Sequence, residues 1–269
     1  MTLQHEAEYN ALRALGKRSR SVNTDLSGKV VWITGGAVGL GRALVLGFAA
    51  EGANISFSYH QSKQEAAETE ARVKASGVGC LAQRVDVRDV DQIRNAAREI
   101  DATFGRIDVL INNAGVFRRA PLDEMTEQHY DETMDVNLKA TFFASQEAAR
   151  RMKRQGEGSI LNISSVGGLV AWSGYPAYCA SKAASVMATR SMALALAPDV
   201  RVNCIAPGVL TVPKQLASSE ARINRLKRSI PLGEFGRYDD VVDAALFLTK
   251  SGRYITGETL VVDGGRQLK

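Results

Sequence analysis

A tyrosine and a lysine four residues apart, Tyr178 and Lys182 in YPAYCASK (175–182), are the first groups in this chain whose types and spacing suggest chemistry. Four residues is about one helical turn, so the two share a helix face. Pro176 suits the first turn of a helix, where its missing N–H has no partner to lose, which puts Tyr175 at the entry and Tyr178 inside. The separation of Tyr175 from Lys182 corresponds to about 10.5 Å of helix, too far for the amine to serve that ring. A phenol with an ordinary pKa of about 10 is a poor base at neutral pH, but a neighbouring ammonium favours its ionised form. A Tyr/Lys pair at this spacing is structural in most helices, so the octet needs support from the rest of the chain.

That support begins with TGGAVGLG (34–41), where Gly35, Gly39 and Gly41 follow an apolar run and open directly into a helical pattern. Missing side chains let the backbone turn tightly and bring its N–H groups and a helix N-terminus against a pyrophosphate. A strand before and a helix after are the context a dinucleotide loop requires. An NAD site usually places an acid at the end of the second strand. Here that place falls at Tyr59 and His60, and no Asp or Glu appears before Glu65. NADP(H) is therefore favoured over NAD(H), with His60, Lys63 and Arg42 as cations able to approach a 2′-phosphate, although Val38 stands where a basic side chain would be most persuasive. Asp86, ending RVDV, is placed either to accept from an adenine ring or to cap the following turn.

The elements that must position these groups alternate. Short β-branched runs (30–34, 54–59, 79–87, 107–113, 159–164, 201–206 and 259–263) are separated by helical spacing, which predicts an α/β fold. Strands joined by helical crossovers make a parallel sheet, here a single-domain, doubly wound Rossmann-type sheet of seven strands with helices on both faces. Residues 28–269 form this domain, preceded by an extension, 1–27, that reads as a short surface helix. The rhythm breaks over 209–231, a candidate substrate loop or lid. A net charge of +5 is spread over the chain rather than striped, which gives no nucleic-acid footprint. No apolar run is long enough to span a bilayer and no secretory signal is present, so no membrane partner is expected. Cys80, Cys179 and Cys204, like His5, His60 and His129, are isolated, which predicts a reducing cytoplasm and no metal.

With TGGAVGLG, NNAG (112–115), Asn137 in DVNLKAT, NISS (162–165), Tyr178, Lys182 and APG (206–208), the chain resembles the short-chain dehydrogenase/reductase family from about Leu26 to Gly265. The resemblance implies an NAD(P) fold, hydride transfer to or from a carbonyl, and a homotetramer or homodimer that packs through the helices carrying Asn137 and Tyr178. It implies a catalytic set of Asn137, Ser165, Tyr178 and Lys182. Ser165 is chosen over Ser164 because it stands thirteen residues before the tyrosine, with Gly168 three residues after it. In this set Lys182 and the cofactor lower the phenol pKa, Ser165 hydrogen-bonds the substrate oxygen, and Asn137 holds a water. Cofactor contacts are implied for Gly35, Val38, Gly39, Leu40 and Gly41 in the loop, and for Tyr59, His60, Asp86 and Val87 after the second and third strands. Asn113, Ala114 and Gly115 would follow the fourth strand, and Pro207, Gly208 and Leu210 the sixth, joined by Tyr178 and Lys182. One departure is Val212, where the family commonly has threonine; the chain offers Thr211 instead.

The expected substrate is a small-molecule or carrier-bound carbonyl compound, first a 3-oxoacyl thioester, from general similarity to 3-oxoacyl-(acyl-carrier-protein) reductases. SYHQS, ALAPDVRVN and TGETLVVDGGRQL are more similar to pteridine reductases, although those commonly carry a basic residue at the place of Gly39. Lys214, Arg222, Arg225, Lys227 and Arg228 either meet an anionic substrate or are solvated helix charges. A non-catalytic NADP(H)-sensing regulator is the alternative from another class, and the intact Ser165, Tyr178 and Lys182 argue against it.

Overall fold

The computed structural model describes residues 25–210 and 219–269. The expected N-terminal helix, Thr211, Val212 and Lys214 lie outside the described residues.

Seven strands form one sheet: β1 (Val30–Ile33), β2 (Asn54–Tyr59), β3 (Cys80–Arg84), β4 (Val109–Asn112), β5 (Gly158–Ile163), β6 (Val200–Pro207) and β7 (Thr259–Val262). Their order is β3-β2-β1-β4-β5-β6-β7, and every neighbouring pair is parallel. Each expected run forms a strand: β2 with the expected bounds, β5 and β6 begun a residue earlier, and the others trimmed at one or both ends. The crossovers are helices α1 (Gly39–Ala50), α2 (Lys63–Ala75), α3 (Val90–Phe104), α4 (Glu127–Met134), α5 (Ala140–Gln155), α6 (Pro176–Leu196), α7 (Glu220–Arg228) and α8 (Tyr238–Leu246).

Strand alternation divides the core in two. Val31 and Ile33 of β1 point to one face, where they join Leu44 and Phe48 of α1, Phe57 of β2 and Val241 of α8. Val30 and Trp32 point to the other, with Ile93 and Ile100 of α3, Met152 of α5 and Val202 of β6. β1 is buried at all four positions because both faces are covered, which is why its sequence is an unbroken apolar run rather than an alternating one.

The chain leaves β1 toward β2 and β3 on one side and returns through β4 to β7 on the other. Strand order therefore reverses between β1 and β4, and a crevice opens beyond their carboxyl ends. A buried polar ladder fixes the strands beside it. Asn112 Nδ2 donates to Ser145 Oγ (2.9 Å) and to Asn162 Oδ1 (2.8 Å), its register partner on β5. Asn162 Nδ2 in turn donates to Thr189 Oγ1 on α6 (2.9 Å). The segment expected as a loop over 209–231 is helical over α7, whose last turn carries Arg225, Lys227 and Arg228. Cations at a helix C-terminus complement its dipole, which accounts for three of the basic residues without a ligand.

Candidate active site

The glycine loop owes its shape to two close approaches. A Cβ on Gly41 would fall 2.0 Å from the Gly35 carbonyl oxygen and 2.6 Å from Asn113 Nδ2, so only glycine fits there. Asn113 Nδ2 donates to the carbonyls of Thr34 and Gly35 (3.0 Å each), while Thr34 Oγ1 accepts from the Asn113 and Ala114 N–H groups (3.0 Å each). The loops after β1 and β4 are thus laced together as the two lips of the crevice. Val38 caps α1 with extended backbone and no side-chain bond, which leaves the N–H groups of the first turn open to an anion.

The crevice has a volume of about 510 Å³. Gly35, Val38, Leu40 and Gly41 line it on one side and Asn113, Ala114 and Gly115 on the other, with Tyr59, His60, Asp86 and Val87 at the far end. Gly39, at φ 56°, supplies the turn rather than the wall. An uncapped helix N-terminus and a cradle that one methyl group would fill fit a dinucleotide pyrophosphate.

Two expectations at the far end change. The Arg42 guanidinium donates to the carbonyls of Ala37 (2.8 Å) and Glu65 (2.9 Å), and neither it nor Lys63 lines the crevice. These bonds tie the cation to the loop before α1 and to the first turn of α2, so it braces α1 against α2. Arg88, which the spacing did not single out, lines the crevice and holds Asp86 through Nη2 to Oδ2 (2.6 Å) and Nε to Oδ1 (2.9 Å). Asp86 also accepts the Arg88 backbone N–H (3.0 Å), so it does cap its turn. The Arg88 hydrogen bonds hold its carboxyl down to about 2.

Ser164 and Ser165 part ways at the end of β5. Ser164 Oγ donates to the Lys182 backbone carbonyl (2.9 Å) and ties the strand to α6. Ser165 Oγ accepts from the Gly167 N–H (3.1 Å) and stands close enough to the Tyr178 phenol to pull its pKa down. A Cβ on Gly168 would stand 2.7 Å from the Lys182 carbonyl carbon, so this turn lies directly on the α6 backbone. Tyr175 is the N-cap of α6, with Pro176 at the first helical position, as expected.

Lys182 is buried, and its Nζ donates to the Ile163 carbonyl (2.9 Å). It lies 3.5 Å from where a Gly115 Cβ would be, and Asn137 Oδ1 lies 3.4 Å from the same point. Asn137 belongs to a π-helical turn, Asp135–Lys139, that joins α4 to α5. Such turns recur at functional sites because the extra residue redirects a side chain. Asn137 Oδ1 accepts the Val116 N–H (2.8 Å), and Nδ2 donates to the Val116 carbonyl (3.1 Å) and to Ser181 Oγ (3.0 Å). Both donors of this amide and one of its two acceptor sites therefore serve as a clamp between the Gly115–Val116 segment and α6.

The expected lowering of the Tyr178 pKa by Lys182 is not what the protein's own groups produce. Burial pushes the phenol above its ordinary value, the Ser165 hydrogen bond pulls part of it back, and Cys179 raises it further. Burial also pushes Lys182 down to about 8. Desolvation disfavours the charged form of both groups, and it is the largest cause of each shift.

Pro207, Gly208 and Leu210 stand at the end of β6. The Gly208 N–H donates to the Val262 carbonyl (2.9 Å), and a Cβ on Gly208 would lie 2.7 Å from Asp263 Cβ. Leu210 packs against the core beneath α1 and α8. Sequence reasoning did not single out Phe117 or Trp172. Phe117 stands edge-on to Tyr178 at 4.8 Å, and Trp172 stacks on Tyr178 at 6.1 Å. The only signal in the sequence is that Phe117 stands two residues after NNAG.

A family model described as enoyl-(acyl carrier protein) reductase matches residues 35–267. The chain belongs to the short-chain dehydrogenase/reductase family. It is 38% identical over 239 residues to a 3-oxoacyl-(acyl-carrier-protein) reductase of Staphylococcus aureus, which covers 88% of this chain and 97% of that one. Its fold matches a short-chain dehydrogenase/reductase from Serratia marcescens with a TM-score of 0.85 and 34% identity, over 90% of this chain and 99% of that one. It also matches a gluconate 5-dehydrogenase from Burkholderia cenocepacia in complex with NADP and tartrate, with a TM-score of 0.85 and 33% identity, over 92% and 98%. As a short-chain dehydrogenase/reductase the protein is an NAD(P)-dependent oxidoreductase that acts on CH–OH groups. Among its described residues no helix is long and apolar enough to cross a membrane, and no group of three or more His, Cys, Asp or Glu residues could hold a metal ion.

Proposed function

We propose that this enzyme reduces a 3-oxoacyl thioester to the 3-hydroxyacyl thioester with NADPH. The observation that carries the reading is the meeting of Ser165, at the end of β5, with Tyr178 on the helix whose next turn carries the buried Lys182 amine, beside Gly115 of the dinucleotide crevice. The dinucleotide, when bound, supplies the hydride that the carbonyl carbon receives. The Tyr178 phenol, protonated at neutral pH and with its pKa raised further by burial, gives its proton to the carbonyl oxygen. Ser165 donates a hydrogen bond to the same oxygen and stabilises the charge that develops there. Asn137 clamps the Gly115–Val116 wall to α6, and Lys182 ties that helix to the end of β5 through the Ile163 carbonyl, so that the crevice and the phenol share one geometry.

NADP(H) is preferred because His60 and Arg88 line the far end of the crevice, and Asp86, the acid between them, is neutralised by Arg88. NADP in the Burkholderia cenocepacia structure supports that preference. The similarity to a carrier-protein reductase supports a carrier-bound acyl substrate. The enzyme acts in the cytoplasm as a homotetramer or homodimer, and the exposed Phe142 of α5 and Met187 and Leu194 of α6 are its contact faces.

The test is reduction of acetoacetyl thioester with NADPH and with NADH, in wild type and Tyr178→Phe. Loss of the phenolic proton lowers kcat by about 10³, while the variant's affinity for NADPH in fluorescence titration stays within about threefold of wild type. Tight NADPH binding with no Tyr178-dependent turnover on any carbonyl compound would instead make the protein a nucleotide sensor.

A further inference from the structure

Four aromatic rings meet around Tyr178, next in the chain and in space to the Gly115–Val116 end of the dinucleotide crevice, and the chemistry above uses only one of them. Phe117 lies parallel to Tyr175 at 4.7 Å and 7°, with its edge toward Tyr178 at 77°. Trp172 lies nearly parallel to Tyr178, at 16°, and stands edge-on to Tyr175 at 6.3 Å. The Arg266 guanidinium lies over Trp172, 5.3 Å from the ring centroid, and braces the indole from the C-terminal turn. Phe117 is nonetheless 55% exposed: one face is covered by Tyr175 and the other is open.

Position gives that open face a role. Gly115 and Val116 line the crevice, Gly115 lies beside Lys182, and Asn137 clamps Val116 at both its N–H and its carbonyl. The next residue is Phe117, so its ring stands where the crevice wall ends and Tyr178 begins. A carbonyl compound that presents its oxygen to Tyr178 and Ser165 sits against this ring. Building the wall from a phenylalanine, with two further aromatic side chains behind it, favours a flat partner. Parallel offset rings gain attraction beyond the area they bury, and a rigid ring loses less rotamer freedom on binding than an alkyl chain does.

We infer that the substrate carries a planar aromatic ring bonded directly to its keto carbon, that this ring lies on the open face of Phe117, and that Phe117 sets the choice of acyl group. The inference rests on the reductase reading above and narrows its substrate class to aryl-substituted 3-oxoacyl thioesters.

The experiment compares two N-acetylcysteamine thioesters, 3-oxo-3-phenylpropanoyl and 3-oxohexanoyl, with NADPH in wild type, Phe117→Leu and Phe117→Tyr. The quantity read is the ratio of kcat/KM for the phenyl over the propyl compound. Its change between variants cancels the intrinsic reactivity of the two carbonyls. Phe117→Leu, which keeps an apolar side chain but removes the flat face, lowers the ratio about fivefold. Phe117→Tyr, which restores the face, returns it to within about twofold of wild type. An unchanged ratio in Phe117→Leu, or reduction of the propyl compound alone, overturns the inference and leaves the reductase reading standing. Reduction of neither compound in a Tyr178-dependent way overturns both.

Discussion

Replacing Lys182 by methionine tests whether the amine is as dehydrated as its surroundings imply. The side chain is buried against β5, and the hydrogen bond it makes there is to the Ile163 carbonyl. Burial lowers its pKa from 10.5 to about 8. A folded pKa below the unfolded one means that between pH 8 and 10.5 the unfolded chain carries a proton that the native protein has released. The unfolded state then binds more protons, so stability rises with pH across that window. Below pH 8 both states are protonated and the full cost of the buried ammonium is present. Each unit corresponds to about 1.4 kcal/mol, so the relief from pH 7 to pH 10.5 is on the order of 3 kcal/mol. Lys182→Met removes the titrating group while keeping a flexible apolar stem. Denaturant unfolding of both proteins between pH 7 and 10.5 reads the effect as the difference between their curves, in which all other titrations cancel. Wild type gains on the variant by about 3 kcal/mol over this range. Parallel curves would refute the reasoning, because they would mean that the amine keeps its proton through contact with water.

Gly41→Ala places a methyl group against the Gly35 carbonyl and Asn113, both backbone-anchored, so the crevice lips must part. The expected result is a melting temperature lowered by about 2–10 °C, from about 1–3 kcal/mol of overpacking, and NADPH affinity weakened at least about tenfold in fluorescence titration. Asn137→Ala leaves the Val116 N–H and carbonyl without their partner; unfolding by urea should show a loss of about 2–4 kcal/mol, against less than about 1 kcal/mol if the clamp is open to water.

Much of this molecule is legible locally. The seven β-branched runs form strands within a few residues of where their composition puts them, because an apolar run flanked by helical periodicity has few other ways to be buried. NNAG and TGGAVGLG are readable as crevice walls because glycines between a strand and a helix mark a tight turn, although the atoms that crowd Gly35 and Gly41 include Asn113 of the opposite wall. The 209–231 segment was less legible. Its apolar positions are too few to announce α7, whose helix rests on the residues around it.

What the sequence determined by itself is the parallel sheet, the glycine cradle and the shared helix face of Tyr178 and Lys182, since each follows from chain-local spacing and side-chain type, whereas Ser165 was reached only through the resemblance to the family. Only the tertiary structure decided that Ser165 turns to the phenol while Ser164 binds the helix backbone, that Arg42 braces two helices while Arg88 faces the crevice, and that burial raises the Tyr178 pKa. It also decided that Phe117 and Trp172, far apart in the chain, form one wall. Desolvation and ring contacts are sums over neighbours from every element packed around a group, and spacing along the chain does not carry that sum.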